Sequence, residues 1–86
     1  MKRAELKQIL EKISPESRRF YRLSPTLYRD LVLWEDYLQC IELNRKKKYR
    51  AVKNYARYEI CSQYSISEKT FYSIRDVLSY LCDDVN

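Results

Sequence analysis

The sequence has no glycine, no histidine and only two prolines in 86 residues. Without Gly there is no residue that adopts positive φ at little cost, which argues against tight hairpins and phosphate-cradling loops. Helices joined by short turns remain. Without His the chain lacks the usual general base and a leading metal ligand. Cys40, Cys61 and Cys82 form no CxxC pair, and no Asp/Glu cluster stands out. No metal site, no cofactor and no enzymatic activity are therefore expected. Each Cys sits inside an apolar helical pattern and reads as a buried thiol in a reducing compartment. The longest apolar run, LVLW at 31–34, is far too short to span a bilayer. The opening MKRAELKQILEKI has charges spread through its apolar positions, unlike a secretory signal. A cytoplasmic protein without a membrane partner is expected.

What is present suits a folded chain. Apolar residues make up 45% and charged residues 34%, the balance of a globular protein and not a disordered one. At this length, residues 1–86 form one domain, which buries roughly 60–65% of its unfolded surface. The net charge is +5, unevenly spread. Residues 1–44 hold eight basic and seven acidic side chains, and residues 58–86 hold two basic and five acidic. The stretch between them, RKKKYRAVKNYAR at 45–57, holds seven basic and none acidic. One segment thus creates the positive field, and such a block attracts polyanions. The bland alternative is a solvated helix face.

The apolar spacing predicts helices throughout. Leu6, Ile9, Leu10 and Ile13 make one stripe. Ser14-Pro15 and Ser24-Pro25 each read as an N-cap followed by Pro at the first helical position. A short basic-aromatic helix, PESRRFYRL, falls between them. The longest helix is expected from about Pro25 to Asn44, with Leu27, Leu31, Trp34, Leu38 and Ile41 as its core seam. Trp34 is the expected centre of the core, since it has the largest area to bury. A further helix runs from about Arg45 to Tyr64. Tyr49, Val52, Ala56 and Ile60 form its apolar side, and Lys46, Arg50, Lys53 and Arg57 its basic side. The two sides are expected to be cleanly separated. Glu68 to about Cys82 closes the fold, followed by an acidic tail, DDVN, expected to fray.

Residues 59–78, EICSQYSISEKTFYSIRDVL, read as a helix-turn-helix. Cys61 fills the small position inside the first helix. Ser65 stands where Gly usually starts the turn. Ile66 plugs the turn into the core, and Ser67 is a good N-cap for the second helix. Phe71 and Ile74 point inward. The same register turns Lys69, Thr70, Tyr72, Ser73 and Asp76 outward, where they can donate to and accept from base edges. Lys46, Lys47, Arg50, Lys53, Arg57, Ser67 and Arg75 are the candidate phosphate contacts. Tyr55 and Tyr58 are the only aromatics placed to stack on unpaired bases.

Ser67, Thr70, Phe71 and Tyr72 resemble the pattern of resolvase-type helix-turn-helix units. Glu59, Ile60, Tyr64, Ile66, Ser67, Phe71, Tyr72 and Ile74 are similar to the C-terminal unit of phage middle-gene activators of the Mor type. Small phage terminase subunits share the architecture. The resemblance covers residues 45–78 at most, and implies duplex DNA as the partner.

The expectation is an all-α compact bundle of four to five helices with a C-terminal helix-turn-helix. Residues 1–44 complete the core or form a dimer surface, and 45–82 carry the basic helix and the motif. Such a chain would bind double-stranded DNA in a sequence-specific way, as a small transcription regulator or packaging factor of a phage or mobile element. No small-molecule ligand is indicated. The rival reading from another class is a helical adaptor that inhibits a nucleic-acid-binding partner. Binding of single strands or RNA is the other alternative.

Overall fold

The computed structural model describes residues 1–12, 23–45 and 49–85, with side chains described from 26 and from 51 in the latter two stretches. Four helices occur among the described residues: α1 (Arg3–Lys12), α2 (Leu23–Leu43), α3 (Tyr49–Tyr64) and α4 (Glu68–Leu81). No strand is present among them. Ile13, the first Ser-Pro pair and the segment PESRRFYRL up to residue 22 lie outside the described residues.

Helix α2 is the hub, with α1, α3 and α4 all packed on it. The expected seam holds, with Leu31 and Trp34 buried and Leu27, Leu38 and Ile41 packed against the core. Leu33 and Tyr37 are buried as well, which the seam did not include. Leu33 lies roughly 200° round the helix from Leu31. A helix with three neighbours is covered on more than one side, so a single stripe does not describe it. The helix opens at Leu23, two residues before the Pro25 start expected from the Ser24-Pro25 pair. Pro25 still falls in the first turn, where an N–H has no intrahelical acceptor. At the other end Asn44 Nδ2 donates to the Cys40 carbonyl at 2.8 Å, and the chain turns at residues 44 and 45. Because α3 packs back on α2, Leu23–Leu43 and Tyr49–Tyr64 are two helices and not one.

Helix α1 buries Leu6 and Leu10, one turn apart. Ile9, expected on the same stripe, is 49% exposed, because the stripe that α2 covers is only two residues wide here. Lys7 Nζ reaches Glu35 of α2 at 3.1 Å. Helix α3 buries Val52, Ala56 and Ile60, three of the four residues expected on its apolar side. Helix α4 buries Phe71, Ile74 and Leu78. Trp34, Tyr37 and Phe71 meet at the centre, with ring centroids 4.8, 5.4 and 5.0 Å apart. Two pairs are tilted and the Tyr37–Phe71 pair is edge-on, which suits the ring quadrupoles.

Residues 82–85 are docked, contrary to the expected fraying, and Asn86 lies outside the described residues. Cys82 and Val85 are buried. The Trp34 indole N–H donates to the Val85 carbonyl at 2.8 Å, inside the core. A buried indole needs an acceptor, and this carbonyl supplies it. Asp84 accepts from the Arg3 backbone N–H at 2.8 Å, and its carbonyl accepts from Arg3 Nε at 2.8 Å. Asp84 thus caps the unsatisfied start of α1 from the far end of the chain. The thiols also differ from expectation: Cys82 is buried, but Cys40 and Cys61 are only half-buried, and all three are free.

Candidate nucleic-acid interface

Helices α3 and α4 are joined by Ser65, Ile66 and Ser67. Ser65 has φ of 53°, the left-handed conformation that terminates many helices. Its N–H bonds the Ser62 carbonyl at 3.3 Å, and the Ile66 N–H bonds the Cys61 carbonyl at 3.0 Å. This pair of bonds is the Schellman arrangement, with Ser where Gly is favoured. Ile66 packs against the core, the apolar contact that accompanies such an end. Ser67 then caps α4, its Oγ accepting from the Thr70 N–H at 3.1 Å. Three residues therefore stop one helix and start the next.

The inward and outward rows of α4 follow from its burial. With Phe71, Ile74 and Leu78 inside, Lys69, Thr70, Ser73 and Asp76 are exposed. Ser67 Oγ also donates to Thr70 Oγ1 at 3.0 Å, and Ser73 Oγ to the Lys69 carbonyl at 3.1 Å. Both bonds are local and solvent-facing, so a ligand can replace them at little cost.

Tyr72 stands apart from the row it was expected to join. It is half-buried, and its hydroxyl accepts from Arg57 Nη1 of α3 at 2.7 Å. The Tyr72 ring centroid is 5.6 Å from the Arg57 guanidinium carbon and 4.9 Å from that of Arg75. The cause is angular: one residue beyond buried Phe71, position 72 is turned roughly 100° toward the neighbouring helix. Arg57 is also 3.5 Å from Glu68, and its side chain is only 27% exposed. The basic and apolar sides of α3 are therefore not cleanly separated, since Arg57 packs on α4 beside the core. Lys53 is half-buried too. Arg75 pairs with Asp76 at 3.1 Å. Lys46, Lys47 and the side chains of Tyr49 and Arg50 lie outside the described residues. Tyr55 and Tyr58 are exposed.

A cavity of about 460 Å³ opens where α2, α3 and α4 meet. Tyr72, half-buried, lines it, and the buried rings of Trp34, Tyr37 and Phe71 close its floor with little exposed surface. Lys53, Arg57 and Arg75 line it as well, and no carboxylate does among the described residues. Sequence reasoning put those three cations together only as phosphate contacts. It missed Trp34 and Tyr37 as cavity residues, because no spacing within one helix signals a wall built from three.

Burial pushes the Cys61 and Cys82 thiols up, away from the thiolate form. That is the opposite of the shift an activated nucleophile needs. Burial, followed by a hydrogen bond to Asp36, pushes Tyr64 up to about 12. Among the described residues no group of His, Cys, Asp and Glu is arranged to hold a metal ion, and no helix is long and apolar enough to cross a membrane. Comparison with protein-family profiles, known proteins and solved structures gives no match.

Proposed function

We propose that this chain binds double-stranded DNA through α3 and α4, acting as a helix-turn-helix unit of a small transcription regulator or packaging factor. The observation that carries the reading is the doubly capped turn at 65–67, which sets α4 with Phe71, Ile74 and Leu78 inward and a polar row outward. A helix presented in this way can enter a major groove, while the helix before it braces against the backbone. Lys69, Thr70, Ser73 and Asp76 are the base readers in this reading. Lys53, Arg57 and Arg75 sit beside that row, and Lys46, Lys47 and Arg50 precede them in the basic segment. Glu68 and Asp76 draw Arg57 and Arg75 into local pairs, so the reading relies most on the lysines for backbone contact.

The test is duplex binding measured over a range of salt. Affinity should fall linearly on a log–log scale, by about 0.9 in slope for each phosphate contact. Replacing Lys46, Lys47, Arg50 and Lys53 with Gln should flatten that slope, and an unchanged slope in a folded variant would refute the phosphate assignment. A K69A/T70A/S73A variant should select different sites from random duplexes. No duplex affinity at low salt would overturn the whole reading. A protein-adaptor role is the second reading, favoured by the exposure of Val77 and Tyr80 on α4, at 51% and 90%.

A further inference from the structure

The side of α4 that faces α3 carries an arrangement that neither helix has alone. Position 72 is turned roughly 100° from buried Phe71, onto the flank of the outward row. Its hydroxyl accepts from Arg57 of α3. Its ring has the guanidinium carbons of Arg57 and Arg75 at 5.6 and 4.9 Å from its centroid, both within reach of the ring quadrupole. One side chain thus holds two arginines, one from each helix. Both arginines line the same opening, and no carboxylate lines it among the described residues.

Two cations beside one ring repel each other, and the ring offsets only part of that repulsion. Glu68 and Asp76 offset more, at 3.5 Å from Arg57 and 3.1 Å from Arg75. Their side chains are 63% and 70% exposed, so these pairs are screened by salt and yield to a stronger anion. Asp76 is met by Arg75 Nε and Nη2, which leaves Nη1 outside that pair. Arginine side chains lose freedom on binding, and a guanidinium that is already held loses less. A helix seated in a major groove has a phosphate strand along each flank, and position 72 is on such a flank.

We propose that Arg57 and Arg75 together hold a single backbone phosphate of duplex DNA, and that Tyr72 is the positioning residue that sets them for it. Such a clamp presupposes the duplex binding proposed for α3 and α4 and specifies one of its contacts. The lysines of the basic segment carry most of the backbone contact, and the two arginines count as one phosphate between them. Tyr72 touches the arginines and not the DNA, so it carries no sequence preference.

The test is duplex affinity over a range of salt for an R57Q/R75Q variant, with and without a change at Tyr72. The double arginine variant should lose about 0.9 from the log–log slope, the share of one phosphate, where two separate contacts would lose about 1.8. At about 0.1 M salt this is roughly a five- to tenfold loss of affinity. Tyr72→Leu should lose as much in the parent and nothing further in the double arginine variant, and it should select the same sites from random duplexes. Tyr72→Phe keeps the ring against Phe71 and drops the hydroxyl, so it carries the test if Tyr72→Leu does not fold. It should weaken the parent by about two- to threefold and leave the double arginine variant unchanged. Four results would overturn the clamp while leaving duplex binding in place: an unchanged slope in R57Q/R75Q, a slope loss near 1.8, Tyr72 changes that weaken both backgrounds equally, or an altered site preference. Absence of duplex affinity in the folded parent would overturn the duplex reading and the clamp with it.

Discussion

Phe71→Ala is the most direct probe of the register on which the interface depends. Phe71 is 2% exposed, and its ring meets Trp34, Tyr37 and Tyr72 at centroid distances of 5.4, 5.0 and 5.7 Å. Truncating a buried Phe to Ala costs about 3–5 kcal/mol. Phe71 also lines the 460 Å³ cavity, so the space left behind joins one that is already open. Water can enter it, which places the cost toward the lower end, about 3–4 kcal/mol. A domain of this length has on the order of 4–13 kcal/mol to lose. The melting temperature should therefore fall by roughly 20 °C. Far-UV circular dichroism during heating and a urea titration both measure it. Tyr80→Ala, on the same helix but 90% exposed, should stay within about 0.5 kcal/mol of the parent. If Phe71→Ala melts within about 3 °C of the parent, Phe71 is not an anchor and the outward row of α4 is misassigned.

Further tests address the turn, the C-terminal residues and Tyr64. Ser65→Gly should stabilise by about 0.5–1 kcal/mol, because a left-handed non-Gly residue costs more than the extra unfolded-state freedom of Gly; a urea midpoint that falls instead would contradict the positive φ. Asp84→Ala removes the cap on α1 and should cost about 1 kcal/mol, with faster amide exchange at Arg3; unchanged exchange there would show that Asp84 is not its partner. Tyr64 is held neutral in the fold, its pKa raised from 10.0 to about 12. That stabilisation is complete below the unfolded value near 10 and is lost as pH rises through 12. Two units correspond to about 2.7 kcal/mol, discounted to about 1–2 for a half-exposed ring. Denaturant titrations at several pH values from about 9 to 12 should show the stability gap between the parent and Tyr64→Phe narrowing by that amount; a constant gap would refute the shift.

The sequence by itself determined the helical class, since the absence of Gly and the 3.6-residue spacing of apolar side chains leave few other ways to bury a core. It also located Val52, Ala56 and Ile60 on one face, the cap at Ser67 and the inward pair Phe71 and Ile74, because each is a local matter of period or hydrogen bonding. Tertiary structure decided what depends on neighbours distant along the chain. Leu33 and Tyr37 are buried because α2 has helices on more than one side. Residues 83–85 are docked because the Trp34 indole and the open start of α1 both need acceptors that 84 and 85 supply. Tyr72 left the outward row because Arg57, fifteen positions earlier, reaches its hydroxyl. The cavity has no signature in any one helix: its lining comes from three of them, and only their packing brings Lys53, Arg57 and Arg75 to one opening.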